Sequence, residues 1–181
     1  TLVILFSLIS LRCSEENSVE PVSPTIIQII VKSANDSSVI SGANVVLYNA
    51  NTGESLSRTF SGNDGIAKFE GVSGGNFYVR ISAQGFNEIP QGSVNPVSFS
   101  VPTGQTFSQN YYMVVLQGTF GMIEGTVIPN LSGFLIVATS SGMNTEHHTY
   151  SGPDGYFVLF NVPYGTYVVD VIKSGYQSTN Q

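Results

Sequence analysis

The chain has 181 residues, of which only 10% are charged, and its formal net charge is −6. Such a chain offers no basic surface for a phosphate backbone, which excludes nucleic-acid binding. Nineteen Gly and eight Pro among abundant Ser, Thr, Asn, Tyr, Val and Ile make an all-β composition with frequent turns, and the length alone admits one large domain or two small ones.

The chain opens "TLVILFSLISLRCSEEN", an apolar run from Leu2 to Leu11 followed by Arg12, Cys13 and an acidic pair. The run is too short to span a bilayer and fits the apolar region of a secretory signal. With no initiator Met and no basic residues before it, residues 1–12 read as part of a signal peptide cut upstream of its natural start. Cys13 is the only cysteine, so no internal disulfide forms. A hydrophobic run ending at a lone Cys resembles a bacterial lipoprotein signal, and "SEEN" resembles the acidic tag behind the Cys in surface-displayed lipoproteins of the Bacteroidota. Arg12 stands where that pattern has a small residue. The resemblance implies lipidation of Cys13 and attachment to the outer membrane or cell surface. An ordinary cleaved signal with an incidental cysteine is the alternative.

Residues 13–24, the anchor and "SEENSVEPVSP", are polar, acidic and twice interrupted by Pro, which reads as a tether without a core. Strand signals then follow in order: "TIIQIIVK", "ANVVLYN" and "SLSRTF", separated by "NDSSVISG" and "NTGE". Next comes the corner "SGNDG" (61–65). Residues 59–86 align without a gap on residues 149–176 at a constant offset of 90, pairing Ser61 with Ser151, Asp64 with Asp154, Gly65 with Gly155 and Gly85 with Gly175. Two tandem copies of one small β-domain follow, over 25–117 and 118–181. Asp64-Gly65 and Asp154-Gly155 read as hairpin turns, in which Gly takes the positive φ and Asp bonds its own backbone. In "TYVVDVI", Tyr167, Val169 and Val171 share an inward face and Asp170 lies outward, with Arg80 as its outward counterpart in the first copy. "VSFSV" and "FSQNYYMVVL", joined by "PTGQ", close the first copy. The second stops before any equivalent, so it reads as incomplete at its C-terminus, with an unpaired edge that favours association.

The Gly-Ala before a strand in "SGANVVLYNANTG", the Asp-Gly corner, and then "GVSGGNFYVRISAQGF" or "NVPYGTYVVDVIKSGY" resemble the carboxypeptidase regulatory-like domain. The resemblance implies tandem antiparallel Greek-key β-sandwiches of the transthyretin (prealbumin) type and no catalytic residues. It also implies settings such as surface proteins and the extensions of TonB-dependent transporters, and a fold shared with carbohydrate-binding sandwiches. Ile66 and Lys68 stand where the family is usually aromatic or apolar, and Gly62 and Gly152 where an acidic residue is common.

No enzyme constellation is present in the sequence. His147 and His148 are neighbours on a strand and point to opposite faces, so they do not share a metal. One carboxylate per loop, Asp64 or Asp154, is too few for Ca²⁺, and turn chemistry accounts for both. No cofactor is implied. With no Trp, the aromatic candidates for a ligand are Tyr111, Tyr112, Tyr150 and Tyr164, each read first as a corner or core-edge residue, with Tyr164 in the loop before Gly165 the first to test. The expected function is a non-enzymatic, lipid-anchored spacer or binding module with a glycan or protein partner. The alternatives are an accessory module of a larger peptidase or transporter, and carbohydrate binding through the sandwich.

Overall fold

A computed structural model describes residues 23–91, 94–143 and 145–176, all in strands and the turns between them. Cys13 and the tether before residue 23 lie outside the described residues.

β1 (Thr25–Ser33) alternates strictly, with Ile27, Ile29 and Val31 fully buried. A period of two with β-branched residues on one face makes a strand that covers a core on that face only. β1 lies between β4 (Ile66–Val72), antiparallel to it, and β7 (Thr106–Met113), parallel to it. The opposing sheet runs β3 (Ser55–Phe60), β2 (Asn44–Asn49), β5 (Gly75–Ser82), β6 (Phe99–Val101), with every pair antiparallel. Ile27, Ile29 and Phe69 of the first sheet meet Val45, Leu47, Val79 and Ile81 of the second in one core, the interior of a β-sandwich.

Beyond it lie β8 (Gly121–Thr126), β9 (Leu135–Ser140), β10 (Glu146–Tyr150), β11 (Tyr156–Val162) and β12 (Tyr167–Ile172). Their sheets, β10-β9-β12 and β11-β8, reproduce the orders β3-β2-β5 and β4-β1, around a core of Phe134, Ile136, Phe157, Leu159 and Val162. β4 and β11 coincide at the offset of 90. Among the described residues nothing here corresponds to β6 or β7, and Val169, expected inward, is 39% exposed because no further strand covers the outer flank of β12.

Two sequence expectations are corrected. The Asp-Gly corners are not hairpins: β3 pairs with β2 and β4 with β1, so residues 61–65 carry the chain from one sheet to the other, and residues 151–155 do the same from β10 to β11. β6 and β7 likewise lie in different sheets, and the parallel pairing of β7 with β1 departs from an all-antiparallel arrangement. Local turn chemistry is the same in a hairpin and in such an arch, because only the distant partner of each strand separates the two.

Candidate functional site: the joint and cleft between the sandwiches

Both corners are built alike. The Asp64 carboxylate accepts from the Ile66 N–H (2.9 Å) and that of Asp154 from the Tyr156 N–H (3.2 Å), while Gly65 and Gly155 take φ of 76° and 77°. A Cβ on Gly65 would come within 2.9 Å of the Val31 carbonyl oxygen, and one on Gly155 within 2.7 Å of that of Val127. The buried serine that opens each corner repeats as well. Ser61 Oγ donates to the Ile40 carbonyl (2.7 Å) and accepts from the Ala43 N–H (2.9 Å), and Ser151 Oγ does the same with Leu131 (2.8 Å) and Phe134 (3.0 Å).

The second corner has one contact that the first lacks. Arg58 on β3 reaches Asp154 with Nη2 (2.5 Å) and Nε (3.2 Å), its guanidinium lying 4.2 Å from the Tyr156 ring centre and 5.0 Å from that of Phe60. The Arg58 side chain is only 13% exposed. Burial works to raise the Asp154 carboxyl, but the hydrogen bond and charge of Arg58 outweigh it and hold it below the usual carboxylate value.

A second tie comes from a bulge. Where β4 pairs β1, the extra residue is Gly71 (φ 71°), and where β11 pairs β8 it is Asn161 (φ 61°), the residue at the same repeat position. Asn tolerates this left-handed backbone and adds an amide. Asn161 Nδ2 donates to the carbonyls of Ala83 (3.2 Å) and Phe86 (2.8 Å), and its Oδ1 accepts from the Gly85 N–H (2.7 Å), so the side chain is fixed wholly by a turn of the other sandwich. The connecting segment grips the same turn: Leu116 N–H donates to the Gly85 carbonyl, Asn87 N–H to that of Val114, and Gln84 Nε2 to that of Phe120.

Between the sandwiches lies a cleft with two lobes of about 440 and 390 Å³, meeting at Tyr48, Arg80 and Tyr150. Its floor is the outer face of the four-stranded sheet, where the cross-strand pairs Asn44–Ser82, Val46–Arg80 and Tyr48–Tyr78 stand side by side. The two tyrosine rings stack 4.8 Å apart at 3°, and burial pushes the Tyr48 hydroxyl up to about 12, so it remains a proton donor. Glu88 is raised by burial, an effect partly opposed by Arg80. The wall is built from β10 and β11.

Among the sequence-predicted residues, Tyr150 therefore lines both lobes and Tyr164 neither. Tyr164 is 72% exposed at the turn between β11 and β12. Tyr111 packs against the first core and Tyr112 faces outward. His147 stacks edge-on to Tyr167, and no group of three His, Cys, Asp or Glu able to hold a metal occurs among the described residues. Sequence reasoning missed Arg58, Asn161 and Asn44. The signal for Asn161 was present, since Gly and Asn at one repeat position are the two residue types that most readily accept positive φ.

The stretch from β1 to the end of β7 carries the family signal. Residues 26–113 match the family model of the carboxypeptidase regulatory-like domain. The match thus coincides with the seven-stranded first sandwich. No curated protein matches the chain. Among solved structures it is similar to the Bacillus anthracis TIE protein (17% identity, TM-score 0.41, covering 88% of this chain and 30% of that one). It is also similar to a streptococcal ancillary pilin (17%, 0.42, 87% and 56%) and to BcpA, the major pilin subunit of Bacillus cereus (10%, 0.40, 83% and 88%). The chain spans less than two thirds of the length of the first two.

Proposed function

We propose that this chain is a non-enzymatic module of two tandem regulatory-like sandwiches of Greek-key type, over 25–117 and 118–181, held at the cell surface through a lipid on Cys13. It acts as a spacer of fixed geometry that presents a binding surface. The observation that carries the spacer reading is the Asn161 side chain, whose three hydrogen bonds all cross to the first sandwich. A flexible string of beads has no use for a part-buried amide whose bonds all cross to its neighbour, nor for an Arg58–Asp154 pair across the same joint, because inter-domain motion is the default unless an interface opposes it. The repeat of strand order in β8–β12, with the bulge at the same position, supports the second copy.

Spin labels on β7 and β12, one per sandwich, test this by pulsed electron resonance. A single narrow distance distribution that broadens in Asn161→Gly is expected, and a broad distribution already in the parent chain would sink the spacer reading. The anchor is tested separately by labelling cells with a palmitate analogue, which is expected on the parent chain and lost in Cys13→Ser.

A further inference from the structure

Three buried side-chain polar atoms among the described residues have no hydrogen-bond partner: Asn44 Oδ1, His147 Nε2 and Ser55 Oγ. Asn44 lines one lobe of the cleft and Ser55 the other, while the His147 ring turns to the opposite face of β10 and stacks on Tyr167. Buried polar groups are nearly always satisfied, and leaving one unpaired costs about 1–3 kcal/mol. One orphan atom in each lobe of the same cleft therefore points to something that binds there. Asn44 is the stronger of the two: it is only 8% exposed, and among the described residues its side chain makes one hydrogen bond, a long one of 3.5 Å from Nδ2 to Ser82 Oγ.

The lining selects the chemistry of the occupant. Arg80 and Lys173 bring positive charge, while Glu54, Glu88 and Glu146 bring negative charge, so an ionic ligand of either sign meets its own kind. A purely apolar ligand would leave Asn44 Oδ1 and Ser55 Oγ unpaired. Hydroxyl groups donate and accept at once and suit Asn44 Oδ1 and Ser55 Oγ together. The stacked Tyr48–Tyr78 pair and Tyr150, 54% exposed, add aromatic surface against which the C–H faces of a pyranose ring pack. The two lobes share Tyr48, Arg80 and Tyr150, which offers room for a chain of sugar rings as well as for one, and each falls in the range of about 300–1,000 Å³ usual for small-ligand sites.

We infer that the cleft between the two sandwiches binds a neutral oligosaccharide lying across Tyr48, Arg80 and Tyr150, with Asn44 and Ser55 contacting its hydroxyls. This deepens the binding-module half of the proposed function and is independent of the spacer half.

The test uses the full chain and saturation-transfer NMR with cello-, xylo-, malto- and chito-oligosaccharides. Polygalacturonate and a tyrosine-rich peptide serve as anionic and peptidic competitors. Saturation transfer to at least one neutral oligosaccharide is expected, with the largest amide shifts on β2, β5 and β10 and at Ser55 on β3. Arg80→Gln and Tyr150→Ala should each weaken it by about ten-fold or more, while Tyr164→Ala leaves it unchanged. The spectrum of each variant reports whether it is folded, and Ser55→Ala replaces any that is not. The inference is overturned if no neutral sugar binds at millimolar concentration, if the polyanion or the peptide binds instead, or if binding survives in the folded cleft variants. None of these results bears on the spin-label distances, so this inference and the spacer reading fail separately.

Discussion

The corners at 61–65 and 151–155 share a turn, a buried serine and a glycine of the same φ, yet only the second reaches across to the other sandwich. Asp64 bonds the backbone of its own turn, whereas Asp154 does so and also holds Arg58. The same divergence appears at the bulge, where Gly71 offers no side chain and Asn161 offers three cross-joint bonds. The turn bond of the aspartate, the buried serine and the glycine of positive φ serve each sandwich alone in both copies. The cross-joint contacts each need a residue that its repeat counterpart does not match, Arg58 against His148 and Asn161 against Gly71.

The largest effects should come from what is shared. Gly65→Ala and Gly155→Ala force a side chain into a left-handed backbone and against a carbonyl oxygen, and each should cost its own sandwich about 3 kcal/mol while sparing the other. Thermal unfolding followed by NMR of each core reads this, and equal losses in both sandwiches would show that the copies do not fold as separate units. Ser61→Ala and Ser151→Ala each strand a buried backbone N–H, at Ala43 or Phe134, for about 1–3 kcal/mol by denaturant titration. Matching losses are expected, and a neutral result at either site would break the equivalence of the two corners.

The differing positions should separate cleanly. Asn161→Gly keeps the bulge geometry and removes the tie, so the melting of each sandwich is expected to change little while their relative motion increases, seen as divergent rotational correlation times in NMR relaxation. Gly71→Asn should leave both quantities near the parent values. Smallest of all, Arg58→Ala and Asp154→Asn should weaken coupling by about 0.2–1 kcal/mol, since the Asp154 side chain is half open to solvent, and Asp64→Asn should leave the coupling untouched. The pH dependence follows from the same carboxyl. Its folded value is depressed below 3.8, so its contribution is present in full above that value and is lost as pH falls through the folded one. Relaxation data should be flat from neutral pH to about 5 and should diverge only in stronger acid, and not at all in Asp154→Asn.

Much of the fold was legible because it is local. The strict alternation of β1 and the offset of 90 that superposes β4 on β11 are both readable from residue order. The arch was misread because an Asp-Gly turn says how the backbone bends and nothing about which sheet receives the next strand. The parallel partnership of β1 with β7 was invisible for the same reason, since it joins strands with most of the sandwich between them. The cleft was half legible. "NVVLY" is apolar on both faces at Val45, Val46 and Leu47, and such a run signals a strand covered on both sides, as Val46 is. That the cover is the second sandwich, and that Asn44, Arg80 and Tyr150 come together beneath it, depends on the joint and therefore on side chains 75 to 96 residues apart in sequence.

The bulge at positions 71 and 161 has a wider meaning. A backbone held at positive φ readily admits little besides glycine and asparagine, so natural variation there is nearly a choice between two letters. One letter leaves the module's flank blank, and the other equips it with a peg that fits the turn of the module before it. Stiffness along a row of such modules would then be written one residue per joint, without any change to the sandwiches themselves.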